Sequence, residues 1–249
     1  MHASTLSLAV GAGALAMSGV AAAGGLSMTY VGDASGRTIG IHHDPTAAWD
    51  AGPAASFSTS AFAGARDFTS SGRRFRTFAT RIADSFAIGD TISYLQVDPR
   101  SLPGGDPSMS AIGPLRADLL ADLYGRYWGF AATDVDPSFV AGFQLAIWEV
   151  MHENITGSTR ENAAAQLTLD LGAFQVGYSD TAEAFSAYVQ ANMMLAWLGN
   201  GPFLDWANLR GWTEGGPLDR LAATVVPLPA PALLAATGLL ALGSRRRNR

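Results

Sequence analysis

The chain has 249 residues, 48% of them hydrophobic, with a formal charge of −5, no Cys and no Lys. That acidic balance argues against nucleic acid and against anionic membrane surfaces as partners. Without Cys there is no disulfide scaffold, no thiol chemistry and no thiolate metal site.

The chain opens with an apolar stretch from Leu6 to Val20, followed by Ala21-Ala22-Ala23, a small-x-small cleavage pattern. We read residues 1–23 as a secretory signal peptide removed by signal peptidase; an ordinary apolar N-terminal helix is the alternative. Residues 24–225 fit one globular domain with enough chain for a core. Here "LSMTYV" and "RTIGIHH" have strand composition and are separated by the turn-forming "GDASG". A polar, Gly/Ala/Ser-rich stretch from Thr46 to Gly72 follows. "RFRTFATRIA" and "TISYLQV", joined through "DSFAIGD", read as a hairpin-like pair, and "DPRSLPGGDPSMSAIGP" reads as a loop.

The second half is helical in pattern. Leu115, Leu119, Leu123 and Tyr127 form one stripe of an amphipathic helix. Asp136-Pro137 is a favourable N-cap and first-turn pair for a second helix, and Asp180-Thr181-Ala182-Glu183 has the pattern of a capping box opening a third, to about Leu198. "QLTLDLGAFQVGY" between them reads as extended, and the Trp-bearing segment from Phe203 onward as returning strand. Strands at both ends with helices between predict an α+β fold: an antiparallel β-sandwich or barrel with an inserted helical subdomain.

The last residues, 226–249, run Val226-Pro227-Leu228-Pro229-Ala230, an apolar block to Gly243, then Arg245, Arg246, Arg247 and Arg249. The apolar block is shorter than the ~20 residues of a comfortable bilayer span. The Arg cluster would stay cytoplasmic by the positive-inside rule, giving a transient anchor. This arrangement resembles the PEP-CTERM class of bacterial sorting signals, in its VPLPA-CTERM variant. The resemblance implies processing by an exosortase of a Gram-negative bacterium; a permanent single-pass tail anchor is the alternative. All sixteen basic residues are Arg, four of them lie in this tail and no acidic residue lies in either end, so the predicted mature domain carries −9.

The second helix contains "SFVAGFQLAIWEVMHEN". On a helical wheel Phe139, Val150, Phe143, Asn154, Ile147, Val140 and Met151 share one arc, with Gln144 next to it, between Met151 and Trp148, and Glu149, His152 and Glu153 opposite. A buried amide costs a few kcal/mol unless its hydrogen bonds are met, so Gln144 requires a defined partner. "FQLAIWE" resembles the TQxAIW motif of thioester domains of bacterial surface adhesins, and "GGPLDRLA" is similar to that family's closing strand. The resemblance implies a Gln joined to a Cys on an upstream strand, which here falls at Ala79 in "RTFATRIADSFAIGDTISY". With no Cys in the chain, Gln144 forms no thioester; the resemblance then implies an inactive frame in which Gln144 bonds the backbone of the neighbouring strand. A coincidental polar residue is the other reading.

Other candidates are weaker. His42, His43 and Asp44 are metal-ligand types, but neighbours on a strand point to opposite faces, so a solvated strand end is favoured. Glu149 and His152 share a face, but no second Glu-x-x-His helix exists, and an exposed polar face is expected. No G-x-S-x-G elbow or evident triad is present. Turns are the default for "DVDPS" and "GGDPS", and the Asn154-Ile155-Thr156 sequon does not fit a bacterial sorting tail. Trp and Tyr residues after Tyr124 are candidates for a carbohydrate surface or for core. No cofactor and no metal are expected. Together the resemblances imply an exported surface or matrix protein with a non-catalytic adhesive or structural role in an exopolysaccharide or biofilm matrix. A secreted carbohydrate-binding module or hydrolase is the alternative.

Overall fold

Strands in the first half run past the punctuation in their sequence. A computed structural model describes residues 25–54, 57, 59–82, 84–104, 111–133, 136–178, 181–200, 202–204, 208–215 and 218–223. The expected signal peptide, the motif at residues 226–230 and the Arg cluster lie outside the described residues.

Strand β1 (Gly25–His43) is continuous. "GDASG" is not the turn its composition implies: it is taken up as register irregularities between Tyr30 and Gly32 and between Asp33 and Gly36. Extra residues in a ladder bend a strand without ending it, and Gly is tolerated there. Strand β2 (Thr59–Ser70) falls in the Gly/Ala/Ser-rich stretch that carried no strand expectation. Ala61, Ala63 and Ala65 alternate inward and are buried, but Ala and Gly are poor strand formers, so the pattern is quiet in sequence.

Strands β3 (Arg73–Ala79) and β4 (Thr91–Val97) do not form the expected hairpin. β3 pairs with β2 and with β7 (Arg220–Ala223), whereas β4 pairs with β1 and with β6 (Leu209–Thr213). The tight hairpin joins β2 to β3 instead, through Ser71 (φ 49°) and Gly72 (φ 74°). Two left-handed residues match the twist of the flanking strands. Strand β5 (Phe174–Gly177) is the one extended piece of "QLTLDLGAFQVGY".

All the pairings are antiparallel, in the order β2-β3-β7-β6-β4-β1-β5, and β1 also pairs with β2. Thr29 of β1 stands opposite Thr69 of β2 on one side and Thr91 of β4 on the other. Six strands therefore close into a ring, with β5 added on β1 beyond it, where Gly40–His43 face Gly177–Phe174. Closure removes most free edges. Of the two expected architectures, the pairing is that of a barrel.

Among the described residues four α-helices accompany the sheet: α1 (Gly113–Ala131), α2 (Pro137–His152), α3 (Arg160–Ala164) and α4 (Ala182–Trp197). The short α3, capped by Thr159, was not expected. Asp136 caps α2, its carboxylate accepting from Ser138 N at 2.8 Å. Thr181 caps α4, but the third helical position is Ala184, so Glu183 is an acidic first-turn residue and no capping box forms. No described helix is long and apolar enough to cross a membrane.

Helix α2 is the centre of the molecule. It lies between α1 and α4 and the β1 and β2 strands, and from Val140 to His152 every residue is buried. A helix that is apolar nearly all round belongs inside. The main core joins helix and sheet residues, and a smaller cluster of Met28, Tyr30, Phe68 and Tyr94 fills the other end of the ring.

Candidate functional site

The site begins with a gap in a β ladder. The β2–β3 pairing ends at Arg66 opposite Thr77, so Ala79, two residues on and with its N–H and C=O turned to the same side, has no strand partner there among the described residues. Gln144 fills the gap from α2. Its Oε1 accepts from Ala79 N at 2.9 Å, and its Nε2 donates to Ala79 O at 2.9 Å. One carboxamide thus reproduces the paired bonds a strand residue would exchange. Gln144 is fully buried and Ala79 is 3% exposed, so water does not compete. Phe78, Phe143, Tyr124 and Trp128 pack in aromatic contact beside the pair, with Phe78 and Phe143 centroids 4.9 Å apart. The reactive side chain that the thioester resemblance implies at this strand position is here a methyl group.

The residue after β3 extends the same polar seam. Thr80 N and Oγ1 donate to Asp219 O at 3.2 and 3.0 Å, and Thr80 O accepts from His152 Nε2 at 3.1 Å. Gln144, Trp148 and His152 lie at four-residue spacing, so α2 presents one stripe to the end of β3. His43 meets the His152 ring edge-on, with centroids 4.8 Å apart. The expectation of a solvated strand end is therefore corrected for His43. Its neighbour His42 falls on the opposite strand face, and no group of three His, Asp or Glu among the described residues could hold a metal ion.

Expected on an exposed face, Glu149, His152 and Glu153 are instead 0%, 5% and 0% exposed. The wheel gives the direction of a side chain but not what covers it, and here segment 167–174 does. Glu149 Oε1 accepts from Thr168 N at 2.8 Å, while Oε2 has no hydrogen-bond partner among the described residues. Glu153 accepts from Asn154 N, Ala173 N and Phe174 N. Gly172 makes the last contacts possible: its φ is +91°, and a Cβ there would stand 2.3 Å from Glu153 Oε2. Arg116 donates to Val150 O and, at 2.5 Å, to Glu153 O, placing a cation at the C-terminal end of α2.

Burial, and then the neighbouring Glu153, push Glu149 well above the usual carboxylate range. Burial raises Glu153 too, but three N–H donors oppose it, so the proton falls to Glu149. Burial, and then His43, lower His152 to about 3, which keeps it neutral with Nε2–H as donor. These shifts have opposite consequences. The raised folded pKa of Glu149 gives stability present below its unfolded value of 4.5 and lost as pH rises through the folded one. The lowered folded pKa of His152 gives stability present above 6.5 and lost as pH falls towards 3. In denaturant titrations, Glu149→Gln should remove the alkaline-side decline and be more stable than wild type at pH 8. His152→Gln should remove an acid-side loss of about 2 kcal/mol between pH 7 and pH 5. Parallel pH profiles for wild type and both variants would contradict the two assignments.

A second buried polar group sits at the other end of the ring. Asp84 lies between two guanidinium groups, pairing with Arg66 Nη2 at 2.8 Å and with Arg220 Nη2. Arg66 also meets Asp33 at 3.2 Å, and both Arg side chains lie over the Phe86 ring. The carboxylates match the cations in number and the group is tied to the smaller core, so it reads as a structural clamp.

Sequence reasoning also missed an aromatic cluster on the surface. Tyr178, at the end of β5, stacks on Tyr188 of α4 at 4.1 Å, with Phe185 6.2 Å from Tyr188. Tyr188 Oη donates to both carboxylate oxygens of Asp170 at 2.7 Å. The suspicion of a carbohydrate surface after Tyr124 named the residue types but no positions; Trp128 and Trp148 belong to the core.

No family model matches this sequence, and no curated protein matches it. Among solved structures, the N-terminal domain of the Streptococcus pyogenes pilus tip adhesin Cpa is similar at a TM-score of 0.39 and 12% identity. That alignment covers 78% of this chain and 98% of the adhesin domain. A likeness of that size assigns neither fold nor function.

Proposed function

We propose that this chain is an exported protein, processed by an exosortase, that serves at the cell surface or in the extracellular matrix. In this reading its domain keeps the frame of a thioester domain without the nucleophile, and it works by adhesion or as a structural part. The carrying observation is the buried carboxamide of Gln144 seated on the main chain of Ala79, in a chain that has no Cys. Those are the two positions that the sequence resemblance pairs. With both ends of the amide in hydrogen bonds and no thiol to attack it, the contact fixes a helix to a strand.

A further observation supports a role without catalysis. Glu149 and His152, first candidates for acid–base chemistry, are enclosed in the core and bonded to main-chain groups. The export half of the reading rests on the signals at the two ends. Mass spectrometry of the protein recovered from producing cells tests it: the expected surface or matrix form starts at Gly24 and lacks the four tail Arg residues. Full-length protein keeping its Arg tail in the inner membrane would contradict processing.

A further inference from the structure

Beside β5 opens a recess of about 380 Å3, lined by Phe57, Tyr178, Leu171, Asp170 and the chain around Ala54. Phe57, Leu171 and Tyr178 are 41%, 36% and 38% exposed, an apolar surface that folding leaves uncovered. The walls are fixed. Gln175, 3% exposed, accepts from Ala54 N at 2.6 Å and donates to Gly52 O and Gly172 O, pinning one wall to β5. The Phe57 ring lies directly on the main chain of Gly177, where a Cβ would come within 2.8 Å of it. Stacking on Tyr188 holds Tyr178, and the Tyr188 hydroxyl holds Asp170.

The chemistry of the recess is aromatic surface beside a carboxylate that lacks a cation. Asp170 accepts from Tyr188 Oη and lies 3.5 Å from Thr168 Oγ1; among the described residues it has no ion pair. A carboxylate has about four acceptor sites, so some remain for a ligand. A purely aliphatic ligand would strip water from Asp170 and return no donor, which is unfavourable. An acidic ligand would meet Asp170 and a domain whose predicted mature charge is already −9. A pyranose ring fits both halves: its C–H face packs on aromatic carbon, and its hydroxyl or amino groups donate to the carboxylate. The volume lies within the usual range of small-ligand sites.

We propose that this recess binds a hexopyranose unit that bears hydroxyl or amino groups and no acid group, as one residue of a neutral or amino-sugar polysaccharide. That the polymer belongs to a matrix rests on the reading above; the preference for an uncharged or cationic pyranose does not.

Calorimetric titration of the full chain in detergent with three oligosaccharides tests the proposal: a neutral glucan, a chitosan and an oligogalacturonate. Binding to the glucan or the chitosan is expected, with none to the oligogalacturonate. Tyr178→Ala should weaken that binding about tenfold or more, close to 1.4 kcal/mol. Tyr178→Leu, which fills the stack without an aromatic ring, should do the same and serves if the alanine variant folds poorly. Asp170→Asn should weaken chitosan more than glucan, a split that mere loss of packing would not produce. Failure of both sugars to bind, equal binding of the oligogalacturonate, or wild-type affinity in a folded Tyr178 variant would overturn it. None of these outcomes depends on the processing at the chain ends, which is read by mass.

Discussion

Asp84→Ala is expected to destabilise the protein by about 3–5 kcal/mol, among the largest losses available to a single substitution here. The side chain of Asp84 is 3% exposed and lies between Arg66 and Arg220, of which Arg220 is fully buried. Removing the carboxylate leaves two guanidinium groups over the Phe86 ring with one anion, Asp33, whose side chain is 47% exposed. Two like charges would then face each other with little water between them, and the cation–π contacts return only about 1–2 kcal/mol each. Urea unfolding of wild type and variant measures the difference. A loss below about 1 kcal/mol would mean that the two cations reach solvent and that the group is an ordinary surface cluster.

Gln144→Leu is expected to cost about 2–5 kcal/mol, and the loss comes from a different place. Leucine restores apolar volume in α2, so little cavity forms. The cost is instead the Ala79 N–H and C=O, each left inside the protein without a partner, at about 1–3 kcal/mol per group. Gln144→Glu separates this from packing. Glutamate still accepts from Ala79 N, but it offers no donor to Ala79 O unless protonated, and its charge would be desolvated. It should therefore be least stable at high pH and recover as pH falls. If Gln144→Leu unfolds at the same denaturant concentration as wild type, the carboxamide is not holding the end of β3.

The inward direction of Gln144 was legible because helix periodicity is local: an Asp136-Pro137 start and a run of apolar residues set the axis and the face. What the wheel could not supply was the cover over Glu149, His152 and Glu153, because segment 167–174 arrives from elsewhere in the chain. One signal was present and went unused. No charged residue occurs from Pro137 to Trp148, which is unusual for a helix with a wet face.

Ring closure depends on pairs distant in sequence, such as Thr29 with Thr91 and Phe78 with Leu221, which propensity does not encode. Local chemistry also misled. "GDASG" has turn composition yet bends a strand, and β2 reads as loop because its buried Ala61, Ala63 and Ala65 are poor strand formers. Asp170, Tyr178 and Tyr188 come from a loop, a strand end and a helix, so their meeting is a product of the fold alone.

If Gln144 and position 79 form the frame of a thioester with the nucleophile missing, supplying a thiol there should complete it. Ala79→Cys is the most direct test, read by intact-mass spectrometry of the folded, purified variant. In a competent frame the introduced thiol sulfur attacks the Gln144 carboxamide carbon: an S–C bond forms, the C–N bond breaks, and ammonia leaves with the thiol proton. The expected result is a mass lower by one ammonia, loss of the free thiol, and recovery of a thiol on adding methylamine. None of these should occur in the double variant Ala79→Cys/Gln144→Ala. A folded Ala79→Cys protein with full mass and a fully titratable thiol would contradict the frame.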